Sequence, residues 1–440
     1  MIPSQRVYFF LVSAIFIAPI LSIIVGIYAS IAIMILLDIT ILIFMVIDGV
    51  KIKNNRVKIT RELPLRLSIG RDNPVILTVT TGNSPAKIQI RDYYPPEFKV
   101  DTDIITAEIN ANQTEELTYN VYPHQRGEFT WKNIAIRQLG MWGLAWDDWK
   151  ITENTDVKVY PDLVGLRSLS IKLTLQSSGS IRQARQMGIG TEFAELRNYR
   201  SGDDLRFIDW KATARRSYNN NTGLLVRVLE PEQEQTLIIL LDRGRLMTAK
   251  VQGLQRFDWG LNTTLALALA ALHRGDRVGV GVFDRQVHTW ISPERGQSHL
   301  NRLIDKLTPI QPELLESDYL GAVTHVVQQQ TRRALVVLIT DIVDITASAE
   351  LLAALTKLAP RYLPFSVTLK DPQIDDLAHT FTQDTTQSYM RAVALDLLAQ
   401  RQVAFAQLKH KGVLVLDAPA NQISNQLVDR YLMLKAKNQL

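Results

Sequence analysis

The sequence predicts a multi-domain protein with an N-terminal transmembrane helical hairpin, a small all-β sandwich and a C-terminal α/β domain with a doubly wound parallel sheet. Three observations support this prediction. The N-terminal segment is almost continuously apolar, the next segment consists of short runs rich in β-branched and aromatic residues, and the last segment alternates buried strands with helices. The predicted boundaries are 1–55, 56–161, 162–235 and 236–440, and the third segment is predicted to be a connector.

The amino-acid composition indicates which classes of protein and which kinds of site are compatible with this chain. The chain has 440 residues, of which 46% are hydrophobic and 21% charged, as in a globular protein. The net charge of +5 is small for this length, so it suits a face near anionic lipid and does not indicate a nucleic-acid partner. The absence of cysteine excludes disulfides, thiol nucleophiles and cysteine-ligated zinc.

One long apolar run lies at the N-terminus. Between residues 7 and 50 the only formally charged residues are Asp38 and Asp48. The run is too long for one membrane span of about 20 residues and suits two. We therefore predict spans over 7–25 and 30–47, joined by a turn near Gly26.

Basic residues predict the orientation of this hairpin. Arg6 precedes the first span, and four basic residues follow the second: Lys51, Lys53, Arg56 and Lys58. Because basic residues accumulate on the cytoplasmic side, both ends of the hairpin should face the cytoplasm. The chain is therefore expected in the cell inner (plasma) membrane, with the lipid bilayer as one of its partners.

Asp38 lies near the middle of the second predicted span. An intramembrane carboxylate indicates a functional site, since its burial in lipid is costly. The alternative is a protonated side chain hydrogen-bonded to Ser13, to Ser22 or to a neighbouring subunit. The sequence leaves both interpretations open.

Residues 56–161 have the pattern of an all-β domain. Runs such as PVILTVTT, AKIQIRDYY and WKNIAIRQL are separated by turn signals such as GNSP and HQRG. This spacing favours an immunoglobulin-like sandwich. Trp142, Trp146 and Trp149 form a cluster that is either a partner surface or, as we expect from the usual burial of tryptophan, packing at the end of this domain.

After residue 235 strands and helices alternate. The runs TLIILLD, RVGVGVF, ALVVLITD, PFSVTL and GVLVLD are continuous and apolar, which is typical of strands buried on both faces, and QVHTWI is predicted as an edge strand. Ligands of such sheets bind at the carboxyl ends of the strands. Asp242 and Asp341 fall at two of these ends.

The α/β domain resembles the von Willebrand factor type A fold, whose DxSxS site holds a divalent cation together with a threonine and a second aspartate. Asp242 begins the corresponding stretch here, but Gly244 and Leu246 replace the two serines, Ser317 suits the threonine position and Asp341 the last one. A hard cation prefers about six oxygen ligands, so the loss of two should weaken its binding severely.

Two arginines also enter this stretch. Arg243 and Arg245 bring positive charge to the place where a cation would bind. We therefore expect no cofactor and a degenerate site held by Arg–Asp pairing. The alternative is a working Mg²⁺ site on Asp242 and Asp341.

The most distinctive stretch is GIGTEFAELRNYRSGDDLRFIDWKATARR, residues 188–216. It carries an array of residues that resembles the signature of family 58 of the domains of unknown function: Gly190, Glu192, Phe193, Leu196, Arg197, Tyr199, Gly202, Asp203, Asp204, Arg206, Ile208, Asp209, Trp210, Lys211, Ala214 and Arg215. The resemblance covers nearly the whole chain, from the membrane hairpin through the β-domain and signature to the von Willebrand type A-like domain.

The resemblance implies a bacterial or archaeal protein without an established biochemical activity. Members of the family are often encoded beside MoxR-type AAA+ ATPases, which implies that they work with such a machine in assembling or activating other proteins. The stretch DRGRL departs from the common pattern of the family, in which many members keep serines, so any metal role of the family is doubtful here.

Three interpretations of the signature follow from its residues. In the first, Asp203 or Asp204 caps a helix over 205–216, with Arg206–Asp209 and Asp204–Lys211 pairs, and Trp210 anchors this helix as a clamp between the two cytoplasmic domains. In the second, the stretch is an exposed docking surface. In the third, Asp203, Asp204 and Asp209 form an acid–base or metal cluster of an enzyme.

We expect a non-enzymatic, membrane-anchored scaffold or co-chaperone whose α/β domain presents the ends of its strands to a protein partner, around Asp242, Arg243, Arg245, Ser317 and Asp341. The family resemblance implies that this partner is a MoxR-type AAA+ ATPase. The lack of a nucleophile–base pair and the scattered positions of the seven histidines favour this expectation. The alternatives are a divalent-cation-dependent protein-binding module and an enzyme that uses the aspartates of the signature.

Overall fold

The computed structural model describes residues 1–64, 66–180, 192–217, 223–230, 235–342, 348–359, 361–380 and 385–437. The chain divides into two compact units, Met1–Leu163 and Val164–Leu440. The division falls next to the predicted end of the β-domain. Of the signature, Gly190 lies outside the described residues.

The first unit begins with two apolar helices. A short strand β1 (Ile2–Pro3) precedes α1 (Gln5–Val25), and α2 (Ile27–Asn54) follows after Gly26, whose φ of 89° suits only a residue without a side chain. Among the described residues, α2 is the helix long and apolar enough to cross a membrane, with a mean hydropathy of 2.8, and Gln5–Ile17 is a shorter apolar segment. The prediction of an apolar, membrane-type N-terminus is thus supported for α2.

Asp38 is half-buried, and its Oδ1 has no hydrogen-bond partner among the described residues. Ser13, one of its expected partners, donates instead to the carbonyl of Phe10 at 2.8 Å. A serine in a helix commonly makes this local bond. The expected Ser13–Asp38 bond is therefore absent.

The rest of the first unit is built from strands. They are β2 (Lys58–Glu62), β3 (Arg66–Ser68), β4 (Asn73–Thr80), β5 (Ala86–Asp92), β6 (Phe98–Val100), β7 (Ile105–Ile109), β8 (Thr114–Pro123), β9 (Gly127–Trp131), β10 (Ile134–Leu139), β11 (Ala145–Ile151) and β12 (Thr155–Tyr160). They form sheets in the orders β1-β11-β10-β5-β7, β2-β4-β8-β6 and β3-β12-β9. Buried and exposed residues alternate along β4 and β5, as expected where one face of each sheet meets the core.

A buried carboxylate links the three sheets. Asp92 accepts hydrogen bonds from Arg61 at 2.7 Å, Tyr119 at 2.6 Å and Trp131 at 3.3 Å, which belong to β2, β8 and β9. Burial raises the pKa of Asp92, although these three donors oppose the rise. The predicted all-β character of this segment is confirmed.

The tryptophan packing differs from the expectation. Trp131 is the fully buried tryptophan of the β-domain, whereas Trp142 is 38% exposed and Trp146 and Trp149 are half-buried. Along β11 the buried positions belong to Ala145 and Asp147, so Trp146 lies on the opposite face, whereas Trp149 lies on the same face nearer the end of the strand.

The predicted connector contains regular structure. It begins with α3 (Leu163–Ser180) and continues with β13 (Glu192–Asn198), a 3₁₀ turn at Leu205–Phe207, α4 (Trp210–Ser217) and β14 (Leu225–Glu230). Strands β13 and β14 pair in antiparallel fashion and enclose the signature turn. The predicted connector over 162–235 therefore includes a helix as well as the signature.

The remainder of the second unit is the predicted α/β domain. Its elements are β15 (Thr236–Asp242), β16 (Lys250–Val251), β17 (Leu254–Gln255), α5 (Arg256–His273), β18 (Arg277–Phe283), β19 (Val287–Glu294), α6 (Gln297–Leu307), α7 (Tyr319–Gln329), β20 (Leu335–Ile339), α8 (Ala349–Leu358), β21 (Leu363–Lys370), α9 (Pro372–His379), α10 (Thr385–His410), β22 (Leu414–Pro419) and α11 (Ile423–Ala436). A 3₁₀ turn at Arg245–Thr248 follows β15.

These strands form one sheet in the order β19-β18-β15-β20-β21-β22. The pairs from β18 to β22 are parallel, and β19 is the antiparallel edge strand that the sequence predicted. Ile238 and Leu240 pack with α7, α8 and α10 on one face, while Gly260 of α5 lies against Leu241 on the other. Helices therefore cover both faces, which explains why the central strands are continuously apolar.

Candidate functional site

The carboxyl edge of the six-stranded sheet gathers acidic residues. Asp242 ends β15, Asp284 follows β18, Asp341 follows β20 and Asp371 follows β21. Because parallel strands end at the same edge, these side chains collect there although they are far apart in sequence. We call this edge, with the loop 308–318 beside it, the strand-end face.

Asp242 is fully buried and is held by hydroxyl groups. Its carboxylate accepts hydrogen bonds from Ser317 Oγ at 2.5 Å, Thr340 Oγ1 at 2.6 Å and Tyr319 OH at 3.1 Å, and from the backbone N–H of Gly244 at 2.7 Å. Burial raises the pKa of Asp242, and these donors offset the rise only in part. The oxygens that a cation would need are occupied by the protein's own donors.

Gly244 leaves no room for the serine that a cation site would require. A Cβ at this position would lie 2.1 Å from Ser317 Oγ and 2.7 Å from the carbonyl oxygen of Leu315. The chain has therefore closed around the space beside Asp242. Leu246, at the second of the two serine positions, is half-buried in the 3₁₀ turn.

Asp341 has different partners. It is paired with Arg256, at the start of α5, and with Arg401 of α10 at 2.9 Å. Arg401 also binds Asp417 at 2.8 Å, and Arg256 reaches Asp371 at 3.6 Å. This network neutralises Asp341 without an added ion.

Of the two arginines expected to form Arg–Asp pairs, Arg243 pairs with an aspartate of this edge, whereas Arg245 pairs with a glutamate. Arg243 binds Asp284 at 2.7 Å and Glu313 at 2.9 Å, and Arg245 binds Glu316 at 2.8 Å. Burial of Asp284 opposes ionisation, but the guanidinium of Arg243 and the backbone N–H of Gln286 hold the pKa of Asp284 below its ordinary value. The arginines thus tie the neighbouring loops together instead of filling the cation position.

The structure brings together only part of the predicted set. Asp242 and Ser317 are in direct contact, as expected, whereas Asp341 reaches this cluster through its neighbour Thr340. Sequence reasoning missed Thr340, Tyr319, Arg256 and Arg401. Thr340 and Tyr319 lie close in sequence to residues that were predicted. Arg256 and Arg401 come from helices distant in sequence, and the residues around them do not indicate a contact with Asp341.

The loop 308–318 is fixed to the strand ends by three backbone hydrogen bonds. The N–H of Glu313 donates to the carbonyl of Arg243 at 2.8 Å, that of Arg245 to Leu315 at 2.8 Å, and that of Asp318 to Asp284 at 2.8 Å. Between two of these attachments lies Leu314, which is 77% exposed. An apolar side chain is thereby presented to solvent on a backbone that is held on both sides.

The signature uses its carboxylates for local structure. Asp203 receives two hydrogen bonds from Arg197, at 2.8 and 2.6 Å, and one from the backbone N–H of Arg200 at 2.7 Å. Asp204 caps the 3₁₀ turn and binds Arg206 at 2.8 Å. These donors lower the pKa of both carboxyls, the guanidinium bond being the largest cause in each.

Asp209 caps α4. Its Oδ1 accepts from the backbone N–H of Ala212 at 2.9 Å, and its Oδ2 accepts from Arg227 of β14 at 2.8 Å. The N–H of Ala212 and the Arg227 guanidinium lower the pKa of Asp209. Each of the three aspartates thus has its own cap or ion pair.

The expected helix over 205–216 is interrupted. Ile208 forms an isolated bridge to Val226 between the 3₁₀ turn and α4. The Arg206–Asp209 and Asp204–Lys211 pairs were therefore wrong, because that bridge breaks the helical spacing on which they depended. Trp210 is 66% exposed, so within the described residues it does not act as a buried anchor.

The other predicted signature residues lie on these elements. Glu192 and Phe193 begin β13, and the N–H of Tyr199 donates to the carbonyl of Leu224 at 2.9 Å. Gly202 has a φ of 105°, which the turn requires. Lys211 and Arg215 are exposed on α4.

Residues 195–402 match the model of a family described as a protein of unknown function, DUF58. The match begins within the signature and continues through β15, β18 and β20 to α10. The resemblance to this family that the signature predicted is therefore confirmed over residues 195–402.

Relatives of this chain occur in mycobacteria. Uncharacterized proteins of Mycobacterium bovis and of two strains of Mycobacterium tuberculosis are 21% identical over 230 residues, which is 51% of this chain and 70% of theirs. Their descriptions assign no activity.

Solved structures resemble parts of the chain. A conserved hypothetical protein BatB from Bacteroides thetaiotaomicron covers 46% of this chain and 99% of its own, with 14% identity and a TM-score of 0.30. The CARDB domain of a Pyrococcus furiosus protein covers 24% of this chain and 93% of its own, with 14% identity and a TM-score of 0.16. Part of α-2-macroglobulin from Escherichia coli covers 24% of this chain but only 17% of its own, with 16% identity and a TM-score of 0.21.

Proposed function

We propose that this DUF58 protein is a non-enzymatic, membrane-anchored scaffold or co-chaperone that binds a protein partner through the strand-end face. The observation that carries the proposal is Leu314, a large apolar side chain exposed on a loop that is fixed at Glu313 and Leu315. A rigid, exposed apolar group loses little entropy when a partner covers it. Glu313, Glu316 and Arg245 surround it with charge that can select the partner.

Binding at this face is proposed to need no metal ion. The Asp242 oxygens already accept four hydrogen bonds, and Asp341 is neutralised by Arg256 and Arg401. A cation would have to displace these donors before it could bind. This supports the interpretation of a degenerate von Willebrand type A-like site.

The anchor is proposed to be a two-span hairpin of α1 and α2 in the plasma membrane, with the rest of the chain in the cytoplasm. Two contacts support this arrangement. β1, which precedes α1, pairs with β11, and Asp48 near the end of α2 binds the backbone beside β11. The chain thus enters and leaves the helical pair at one strand, where the basic residues that favour the cytoplasmic side are found.

An AAA+ ATPase of the MoxR type is the proposed partner. This part of the proposal depends on the match of residues 195–402 to DUF58 and on the family resemblance that implies such a partner. The engagement of Asp203, Asp204 and Asp209 in caps and ion pairs supports a binding protein over an enzyme that uses them.

A matched pair of charge insertions tests the proposal. Leu314→Asp changes the strand-end face, and Met433→Asp changes a 49% exposed residue of α11 near Asp276, at the opposite edge of the sheet. Proteins that copurify with the full chain from native membranes are quantified by mass spectrometry. We expect a protein that is retained by the wild type and by Met433→Asp and lost with Leu314→Asp. Equal retention by both variants would contradict the proposal.

A further inference from the structure

The turn between β10 and β11, residues 140–144, exposes two large apolar side chains. Met141 is 61% exposed and Trp142 is 38% exposed. They lie at the end of the β-domain, outside the core in which Trp131 is fully buried, so neither side chain is part of that core. Exposed apolar residues next to an apolar helix indicate an interaction surface.

Asp48 fixes this turn to α2. The carboxylate is 1% exposed and accepts hydrogen bonds from the backbone N–H groups of Trp142 at 3.2 Å, Leu144 at 3.0 Å and Ala145 at 3.3 Å. A Cβ on Gly140 would lie 2.1 Å from Asp48 Oδ2, so the turn approaches the carboxylate as closely as its backbone allows. Asp48 directly follows the apolar part of α2.

The start of α1 is fixed to the same turn. The backbone N–H of Ser4 donates to the carbonyl of Leu144 at 2.9 Å, and Ser4 Oγ donates to the carbonyl of Gly143 at 2.6 Å. α1 begins at the next residue. The turn therefore lies where both apolar helices meet the polar part of the chain.

Trp142 spans the change from apolar to basic residues along α2. Its ring contacts Phe44 edge to face at a centroid distance of 5.6 Å, and the Nζ of Lys51 lies 4.4 Å from the ring centroid. Phe44 is about one helical turn before Asp48 and Lys51 about one turn after it. Tryptophan with one apolar and one polar side is the side chain enriched at the boundary between acyl chains and headgroups.

Basic side chains surround the turn. Lys51, Lys53 and Arg6 are exposed near the two helix ends that meet there. Their long stems can lie along apolar surface while the charges reach lipid phosphates. Basic residues close to an anionic membrane surface are attracted to it electrostatically.

We propose that the β10–β11 turn is a membrane-docking element whose ligand is the headgroup region of an anionic phospholipid bilayer. Met141 and Trp142 enter the boundary of the acyl region, and Arg6, Lys51 and Lys53 bind phosphate oxygens. The β-domain is thereby held against the membrane in one orientation instead of hanging from a flexible tether. This inference rests on the proposed anchoring by α2 and adds the surface that meets the lipid.

The absence of cysteine allows single nitroxide labels to test the depth of the turn. The full chain is reconstituted in vesicles of phosphatidylcholine and phosphatidylglycerol with a label at Met141→Cys, Leu36→Cys or Thr152→Cys. Leu36 is 67% exposed near the middle of α2, and Thr152 follows the other end of β11, on the order of 20 Å from the turn. Collision with oxygen, which concentrates in lipid, is compared with collision with a water-soluble nickel chelate.

We expect the label at 36 to favour oxygen, the label at 152 to favour nickel, and the label at 141 to lie between them at headgroup depth. A label at 141 that matches 152, while 36 still favours oxygen, would overturn the docking and leave the anchoring intact. Nickel access at 36 would overturn the anchoring, and the docking with it. If the label at 141 is shielded from both reagents in native membranes but accessible to nickel in vesicles, a protein covers this surface. That result would overturn the proposal that the surface binds lipid.

Discussion

Asp242 and Asp341 end neighbouring strands, yet their environments differ. Hydroxyls and one backbone amide hold Asp242, whereas two guanidiniums hold Asp341. Charge pairing removes the need for a cation at Asp341, and burial raises the pKa of Asp242. The site is therefore closed in two ways: by hydrogen bonds from neighbouring groups at Asp242 and by ion pairs at Asp341.

The raised pKa of Asp242 predicts a pH dependence of stability. The folded state binds a proton at Asp242 more tightly than the unfolded state, whose carboxyl has a pKa of about 3.9. The contribution of this group is complete below the unfolded value and is lost as the pH rises through the folded value. Urea unfolding of the wild type and of Asp242→Asn, from about pH 4 to about pH 7, should show the wild type losing stability relative to the variant. A difference that stays constant or changes in the opposite direction would contradict this assignment.

Gly244→Ser should destabilise the protein without creating a metal site. The new side chain would meet Ser317 Oγ and the carbonyl of Leu315, which costs about 1–3 kcal/mol of unfolding free energy. Gly223→Ser is the control, since a Cβ there meets nothing within 4 Å, and it should change stability by less than about 0.5 kcal/mol. Urea unfolding measures both variants, and calorimetric titration with Mg²⁺ measures the site. Heat of Mg²⁺ binding to Gly244→Ser would show that the pocket is open after all.

Sequence could predict the Asp242–Ser317 contact because both residues follow the pattern of a known strand-end site. It could not predict the partners of Asp341. Arg256 and Arg401 come from helices that reach the same strand end only after the sheet has formed. Arg243 and Arg245 looked suitable because they are adjacent to Asp242 in sequence, but neighbours at the end of a strand point to different loops.

Helix α10 contributes to the strand-end face through Arg401. This side chain binds Asp341 and Asp417 and donates to the carbonyls of Ile342 and Leu369. Burial opposes the charge, but the two carboxylates raise the pKa of Arg401. The guanidinium thus joins the ends of β20, β21 and β22.

Arg401→Met should lower the unfolding free energy by on the order of 3 kcal/mol, because it leaves the half-buried Asp417 without its guanidinium partner and the buried Asp341 with only Arg256. Arg245→Met removes the exposed pair with Glu316 and should cost less than about 0.5 kcal/mol. Hydrogen exchange of β20 and β22 peptides in the full chain locates the effect. Equal effects of the two substitutions would show that the buried network does not stabilise the sheet.

For two neighbouring residues of the signature, Asp209 and Trp210, we expect different effects on the hydrogen exchange of α4. Asp209→Ala removes the cap of α4 and the bond to Arg227, so the amides of α4 should exchange faster. If the signature is a docking surface, Trp210→Ala removes an exposed ring and should leave that exchange unchanged while it weakens the binding of a partner to this surface. Hydrogen exchange and copurification are measured on the same preparations. Faster exchange in Trp210→Ala would favour the clamp and contradict the docking surface.

Periodicity predicted most elements, because continuous apolar strands and alternating strands differ in burial. The strands β13 and β14 were not predicted, because they carry many charged and polar residues and border a turn rich in Asp and Arg. The interruption between the 3₁₀ turn and α4 also had no local signal. It arises from the bridge between Ile208 and Val226, a contact between residues far apart in sequence.

The chain as a whole joins a membrane-type helix, a β-domain and an α/β domain. Asp48 and Ser4 connect the helical pair to the β-domain, and Asp92 holds the sheets of that domain together. In the α/β domain the strand-end face is closed by internal pairs and carries Leu314 on its rim. This organisation fits the proposed role of a binding protein presented at a membrane.

Site-specific photo-crosslinking tests the central claim that the strand-end face binds a protein without a metal ion. A photoreactive amino acid replaces Leu314, or Met433 as the control, in the full chain in native membranes, and crosslinking is carried out with Mg²⁺ or with EDTA. We expect one protein to be crosslinked from position 314, in equal yield under both conditions, and none of it from position 433. A crosslink that disappears with EDTA, or that forms equally from both positions, would contradict this claim.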